Sequence, residues 1–324
     1  MRRTSALTCG VDVGGSKILA VAVDLAEPPA PLAIERAPTP RGGDEIVEAV
    51  AEVVGRLRAT VEPEHGEVGA LGVGVAGLVD RSGTLCYGPN LPGAVDVAFA
   101  SRLEDALSLP VAVDNDATAA ACGEHRWGAA RGASDAVVVT LGTGIGGGIV
   151  ADGRIRRGAN AFAAEVGHMV IVPDGPPCPC GGRGCWERYA SGSALARLAR
   201  EAAAAGRADG VVALAGGAPE DVRGEHVTAA AAGGDEGAMA LFEEYGRWVA
   251  LGLANLADIL DPEVVVLGGG LVEADEHFLE PTRRWFGRFV LAADHRPEVR
   301  IVPAELGELA PALGAALLPG EAVE

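Results

Sequence analysis

The chain has 324 residues, 49% of them hydrophobic and 22% charged, which is long enough for two domains with separate cores and ordinary for a globular protein. Its formal net charge of −19 argues against a nucleic-acid partner, because a phosphate backbone needs a basic patch and no basic run occurs. The opening MRRTSALTCGVDVGG reaches Thr8 and Asp12 without an apolar targeting core, and no segment approaches the roughly 18 apolar residues of a membrane span, so the expected compartment is the cytoplasm with no membrane contact.

Residues 7 to 24, LTCGVDVGGSKILAVAVD, read as a strand, a glycine turn and a second strand, which predicts a β-hairpin. Gly14 and Gly15 let backbone N–H groups approach an anion with no Cβ in the way, Ser16 and Lys17 add a hydroxyl and a cation, and Asp12 is placed to hold Mg²⁺ through water. A plain hairpin turn accounts for the same residues. Apolar spacing predicts a helix over 46–61 and a buried strand running into a turn over 69–80. CYGPNLPG at 86–93 reads as a turn containing Asn90. After a predicted helix at 98–107, the strand VAV leads into DNDATAAACGEHRWG, so Asp116 stands at a strand end as an alanine-rich helix begins. Taken alone, Asp116 reads as a helix N-cap.

At 136–153, AVVVTLGTGIGGGIVADG repeats the strand, glycine turn and strand, with Gly142, Thr143, Gly144, Gly146, Gly147 and Gly148. Two such hairpins about 130 residues apart indicate a duplicated fold in which each half contributes one anion-binding turn to a shared cleft.

The next stretch, EVGHMVIVPDGPPCPCGGRGCWE from Glu165 to Glu187, holds three of the six cysteines. His168, Cys178, Cys180 and Cys185 form H-x9-C-x-C-x4-C, a complete ligand set for tetrahedral Zn²⁺, and the interleaved Gly and Pro supply the turns that let the thiolates converge. A disulfide is the competing reading, but nothing marks an oxidising compartment, and a Cys178–Cys180 bridge would be strained. With four protein ligands the ion has no open position for water, so it is expected to shape a loop. That loop carries Glu165 and Glu187, whose carboxylates suit the hydroxyls of a sugar. Cys9, Cys86 and Cys122 read as isolated thiols.

Residues 194–237 are dominated by Ala and Gly and read as helices joined by turns. A long amphipathic helix follows at 239–260, and then the strand VVVL runs into Gly268, Gly269 and Gly270, at the strand end where α/β sheets bind ligands. A helix at 277–290, a strand at 299–306 and a last apolar helix complete the predicted elements.

The E-x-G-H at 165–168 followed by C-P-C-G-x-x-G-C-x-E at 178–187 resembles the signature of the ROK family (repressors, open reading frames, sugar kinases), with the likeness running to its bacterial ATP-dependent glucokinases. The resemblance implies an α/β fold of two ribonuclease H-like lobes, of the actin-like ATPase type, around a central cleft with a zinc-binding loop. A small lobe is expected at 1–115, completed by the C-terminal helix at about 306–319, and a large lobe at 116–305 with the zinc loop at 165–187.

The resemblance also implies phosphorylation of glucose at its 6-hydroxyl, with Asp116 as general base and with ATP and Mg²⁺ at Asp12, Gly14, Gly15, Ser16, Lys17, Gly142, Thr143, Gly144 and Gly268 to Gly270. Gly77, Asn90, Asn115, Asp116, Glu165, His168 and Glu187 are the expected sugar contacts, His168 binding zinc through one ring nitrogen and sugar through the other. A homodimer or homotetramer is implied in the same way. The chain departs from the family pattern at Ser16 for Thr, Ala164 for Gly and Thr118 for Asn. The last two fall near the sugar and leave another hexose or N-acetylhexosamine as an alternative; polyphosphate as donor is a separate one. A sugar-sensing repressor needs an N-terminal helix-turn-helix, and only 11 residues precede Asp12.

Overall fold

A computed structural model describes residues 7–26, 29–271 and 276–321, and the chain divides into two compact units. Unit 1 takes in residues up to Ser134, Gly148–Ala164 and Glu308 onward; unit 2 takes in Asp135–Gly147 and Glu165–Gly307.

Unit 1 is built on a five-stranded sheet in the order β3-β2-β1-β4-β8, from β1 (Leu7–Val13), β2 (Lys17–Asp24), β3 (Ala33–Pro38), β4 (Ala70–Val75) and β8 (Val111–Asn115). The first three strands pair antiparallel and the last two join in parallel. Alternation along the strands separates two faces. Cys9, Val11, Val13, Leu71, Val73 and Val75 form a core with the apolar side of α1 (Gly43–His65) and with α2 (Phe99–Leu107). On the other face Gly10 and Gly72 let a late helix, Ala310–Ala315, lie almost on the strands: a Cβ on either would come within 2.0 Å of a backbone oxygen of Ala312 or Ala315. The last apolar helix of the sequence therefore packs against β1, β4 and α3 (Asp116–Trp127). A small sheet of β5 (Leu78–Val79), β6 (Thr84–Tyr87) and β7 (Val95–Ala98) carries the loop with Asn90.

The second large sheet has the order β11-β10-β9-β12-β13, from β9 (Ala136–Leu141), β10 (Ile145–Ala151), β11 (Arg154–Ile155), β12 (Val264–Gly268) and β13 (Arg300–Pro303). In both sheets the order runs third hairpin strand, second, first, then two parallel strands, which is the duplication the paired glycine turns indicate. The core of unit 2 sits between Val137, Val139, Leu141, Val265 and Leu267 and a helical layer whose longest member, Glu236–Leu260, buries Phe242, Tyr245, Val249 and Leu253. The alanine-rich region forms Gly192–Ala204, Asp209–Leu214 and Gly224–Ala232. Among the described residues no helix is long and apolar enough to cross a membrane.

Candidate functional site

Each unit carries one group of the residues singled out by the sequence. In unit 1, β1 and β2 meet at Gly14–Ser16, and the Gly14 N–H closes the turn onto the Lys17 carbonyl at 3.0 Å. That N–H is spent inside the hairpin, which leaves the exposed Gly15 and Ser16 as the outward part of the turn. Thr39, which no sequence motif singles out, braces it twice: its N–H donates to the Ser16 carbonyl at 3.1 Å and its hydroxyl to the Gly14 carbonyl at 2.7 Å. Gly15 lies against the Asn90 loop, where an added Cβ would stand 2.8 Å from the Asn90 carbonyl oxygen. The Lys17 ammonium is held 2.9 Å from Glu308, whose other oxygen takes Arg36 at 2.6 Å. These two cations hold the Glu308 carboxyl below its usual range.

Asp12 is paired across the sheet with Gly74. Because Gly74 has no side chain, the first turn of α3 settles onto the strand there; a Cβ at 74 would be 3.2 Å from the Asp116 Cα. Glycine within a strand is the one signal that could have announced this close approach. The cap of α3 is Asn115, whose Oδ1 accepts from the N–H groups of Ala117 at 2.9 Å and Thr118 at 3.0 Å, while its Nδ2 donates to the Gly77 carbonyl at 3.1 Å. Asp116 is thus the first helical residue and not the N-cap, with Oδ1 accepting from the Ala117 N–H at 2.9 Å. Burial raises the Asp116 carboxyl, against that backbone hydrogen bond. Burial, aided by the Asp116 charge and opposed by Lys17, pushes Asp12 up to about 7. Gly77 has φ 148° and would place a Cβ 2.3 Å from the Tyr87 carbonyl oxygen, so no larger residue fits.

In unit 2 the second turn repeats the economy of the first, the Gly142 N–H donating to the Gly144 carbonyl at 3.0 Å. Gly269, at φ 93° and with its Cβ position 2.6 Å from the Leu141 carbonyl oxygen, brings the Gly268–Gly270 cluster against the strand that leads into this turn. The helix Gly192–Ala204 begins on the turn's other side, with the Gly192 N–H on the Gly142 carbonyl at 2.8 Å and the Ser193 hydroxyl on the Thr143 carbonyl at 2.8 Å. Glu187 closes the group: its Oε2 accepts from the Ile145 N–H at 3.4 Å and lies 2.6 Å from where a Cβ on Gly144 would be.

Glu187 is fixed by its neighbour. The Trp186 ring is fully buried over Gly252 and its Nε1 donates to the Trp248 carbonyl at 2.9 Å, which pins the end of the cysteine loop to the long helix. Within the loop, His168, Cys178, Cys180 and Cys185 bring one ligand atom each to within 4.8 Å of one another. The Cys180–Cys185 Sγ separation is 3.7 Å, and the edge of a tetrahedron built on Zn–S bonds of about 2.3 Å is about 3.8 Å. The His168 Nδ1 lies 3.9 Å from the Cys178 Sγ, and its Nε2 lies 3.8 Å from the Glu165 carboxylate. One ring nitrogen therefore faces the thiols and the other faces a carboxylate. This donor set fits a tetrahedral thiophilic cation.

Two sheets of matching order, each opening on a glycine hairpin turn, define the actin-like ATPase class of α/β fold. The sequence profile of the ROK family matches residues 8–321, and the chain belongs to that family. It is 41% identical over 318 residues to a glucokinase of Streptomyces coelicolor, covering 97% of this chain and 98% of that one. Among solved structures it is similar to a ROK family glucokinase from Streptomyces griseus in complex with glucose and AMPPNP, at TM-score 0.86 and 41% identity, covering 96% of this chain and 98% of the other. It is also similar to a ROK hexokinase from Thermus thermophilus, at TM-score 0.78 and 36% identity over 96% of this chain and 97% of that one.

Proposed function

We propose that the chain is an ATP-dependent glucokinase, transferring the γ-phosphoryl group of ATP to the 6-hydroxyl of glucose. Phosphoryl transfer needs charge neutralised on the donor, the acceptor oxygen held in line and a base for its proton. The observation that carries the reading is Asp116: Asn115 takes over the cap of α3, and burial raises the Asp116 carboxyl toward the range of an effective proton acceptor. Near-full-length similarity to a Streptomyces coelicolor glucokinase supports glucose as the acceptor, and the glucose and AMPPNP complex of the Streptomyces griseus protein supports ATP as the donor.

In this reading Asp116 accepts the hydroxyl proton, while Asn90, Asn115, Gly77, Glu165, His168 and Glu187 hold the remaining sugar hydroxyls, since a buried polyol must have its donors and acceptors matched. Gly14 to Lys17, Gly142 to Gly144 and Gly268 to Gly270 take the nucleotide, and Asp12 would hold Mg²⁺, whose charge would offset that of the phosphates. Lys17 joins them by leaving Glu308. The Cys3His set holds Zn²⁺ as a structural ion that fixes Glu165 and Glu187, and it leaves the His168 Nε2 for the sugar. The protein works in the cytoplasm as a homodimer or homotetramer and supplies glucose 6-phosphate to glycolysis.

The test is release of ADP by purified protein with Mg²⁺ and ATP against a panel of hexoses and N-acetylhexosamines, repeated with polyphosphate as donor. Glucose with ATP is expected to give the highest kcat/KM. Asp116→Asn is expected to bind glucose by calorimetry and to lose turnover by about 10²-fold or more; wild-type turnover in that variant would remove Asp116 from the mechanism.

A further inference from the structure

Outside every group assigned above, a buried carboxylate and a half-buried guanidinium meet in unit 1. Arg157, two residues past β11, donates from Nε to the Asp114 Oδ2 at 2.6 Å and from Nη2 to the Glu321 Oε2 at 2.7 Å. The Asp114 side chain is 7% exposed and that of Arg157 18%, while Glu321 keeps 33%. The neighbours in sequence of all three, Ala112, Ile155 and Leu318, pack with Ala119 and Cys122 of α3 into a small apolar cluster, so the ions sit where charge is weakly screened. Burial raises the Asp114 carboxyl even against Arg157.

A buried ion pair is a poor device for stability alone, because apolar residues of the same volume would hold the place as well. What the guanidinium adds is direction. It fixes the plane of the Asp114 carboxylate, whose other oxygen accepts from the Asn115 N–H at 2.8 Å. Asn115 in turn caps α3 and ties Gly77, and the next residue is Asp116. A continuous chain of hydrogen bonds thus runs from Glu321, in the last described turn of the protein, to the strand end that delivers Asp116.

We propose that Arg157 is a positioning residue for Asp116, acting through Asp114 and Asn115, and that Glu321 locks Arg157, so that the C-terminal turn takes part in setting the base. The inference deepens the sugar-kinase reading and rests on it for its kinetic part. The Arg157 charge does not touch the reacting atoms; its effect is geometric, and a misplacement of about 1 Å at a reacting group costs on the order of 10²-fold in rate.

The experiment compares Glu321→Ala, Arg157→Met and Arg157→Lys with wild type in steady-state kinetics and in hydrogen exchange at the Ala117 and Thr118 amides. Glu321 is partly exposed, so its variant is expected to fold and to lower kcat about 3-fold with KM for glucose and ATP within about 2-fold. Arg157→Met is expected to lower kcat about 30-fold at similar KM, and Arg157→Lys to recover part of the loss, because a lysine reaches one carboxylate but lacks the fork. Exchange at Ala117 and Thr118 should quicken in the same order. A fall in unfolding midpoint with kcat per folded molecule and both amides unchanged would reduce the triad to a staple and overturn the proposal. Should wild type turn over no sugar, the kinase reading fails, and the two amides alone still decide whether Arg157 positions the strand end.

Discussion

Replacing Asp12 by Asn should make the unliganded protein more stable at pH 8 while abolishing its turnover. In the unfolded chain this carboxyl ionises near 3.8, and in the folded protein burial and the neighbouring Asp116 push it up to about 7. Below the lower value both states hold the proton and the residue has no pH-dependent effect. Between the two only the folded state keeps it, so stability falls as pH rises through that window and the full penalty stands above about 7. A displacement of that size corresponds to about 4 kcal/mol as an upper bound. Asp12 is half-buried, so solvent screening brings the expected gain to roughly 1–2 kcal/mol. Urea unfolding of both proteins from about pH 4.5, just above the lower end of the window, to about pH 8.5, beyond its upper end, in buffer without Mg²⁺, nucleotide or sugar, measures it directly. The difference should be small at the acid end and widen toward neutrality. Equal stability at pH 8, or a difference that is the same at both ends, would show that Asp12 is not strained by ionisation and would refute the reasoning.

Gly15→Ala places a methyl 2.8 Å from the Asn90 carbonyl oxygen, so the hairpin and the Asn90 loop must part; steady-state kinetics should show KM rising for ATP and for glucose together, with an unfolding cost of about 1–3 kcal/mol. Cys180→Ser removes one of four converging ligand atoms; elemental analysis should show zinc falling well below one equivalent, and the glucose KM should rise about 10-fold as the loop loses its shape. Ala164 sits at φ 68°, in the left-handed region; Ala164→Gly should relieve about 1 kcal/mol of strain and, after the greater freedom of glycine in the unfolded chain, leave a net gain of roughly 0.5 kcal/mol in urea unfolding.

The strands, the paired glycine turns and the cysteine loop were legible because each depends on local pattern: alternation, small residues at a turn, ligands close in sequence. The predicted helix at 98–107 forms as Phe99–Leu107 and the long one at 239–260 as Glu236–Leu260, their apolar spacing being sufficient to specify them. The departures from family pattern were legible too, but not their meaning. Ala164 replaces a glycine that the family often has, and the positive φ gives the physical reason for the preference. The last helix is shorter than its apolar run suggests, α-helical only over Ala310–Ala315 with a 3₁₀ turn before and after it, and Gly314 within it lies against the Ala119 carbonyl, where an added Cβ would stand 1.7 Å from the oxygen.

What the sequence left open has a common physical form. Taken alone Asp116 read as a cap, and by the family resemblance as a base; the cap falls to Asn115, one residue earlier, whose Oδ1 accepts from two backbone N–H groups, while the Asp116 carboxylate accepts from the Ala117 N–H. Lys17 read as a phosphate ligand, yet its ammonium rests on Glu308, 291 residues away along the chain. The Gly14 N–H read as an anion donor, and a carbonyl three residues on has claimed it. In each case one polar group has two chemically acceptable partners, and which it takes is decided by a third group brought up by the fold. Residue type specifies capacity; the competition among neighbours specifies use. The same logic makes the Lys17–Glu308 pair informative: both side chains are about half exposed, so their attraction is worth little in water, and a phosphate arriving at the turn can outbid the carboxylate without the cost of breaking a buried pair.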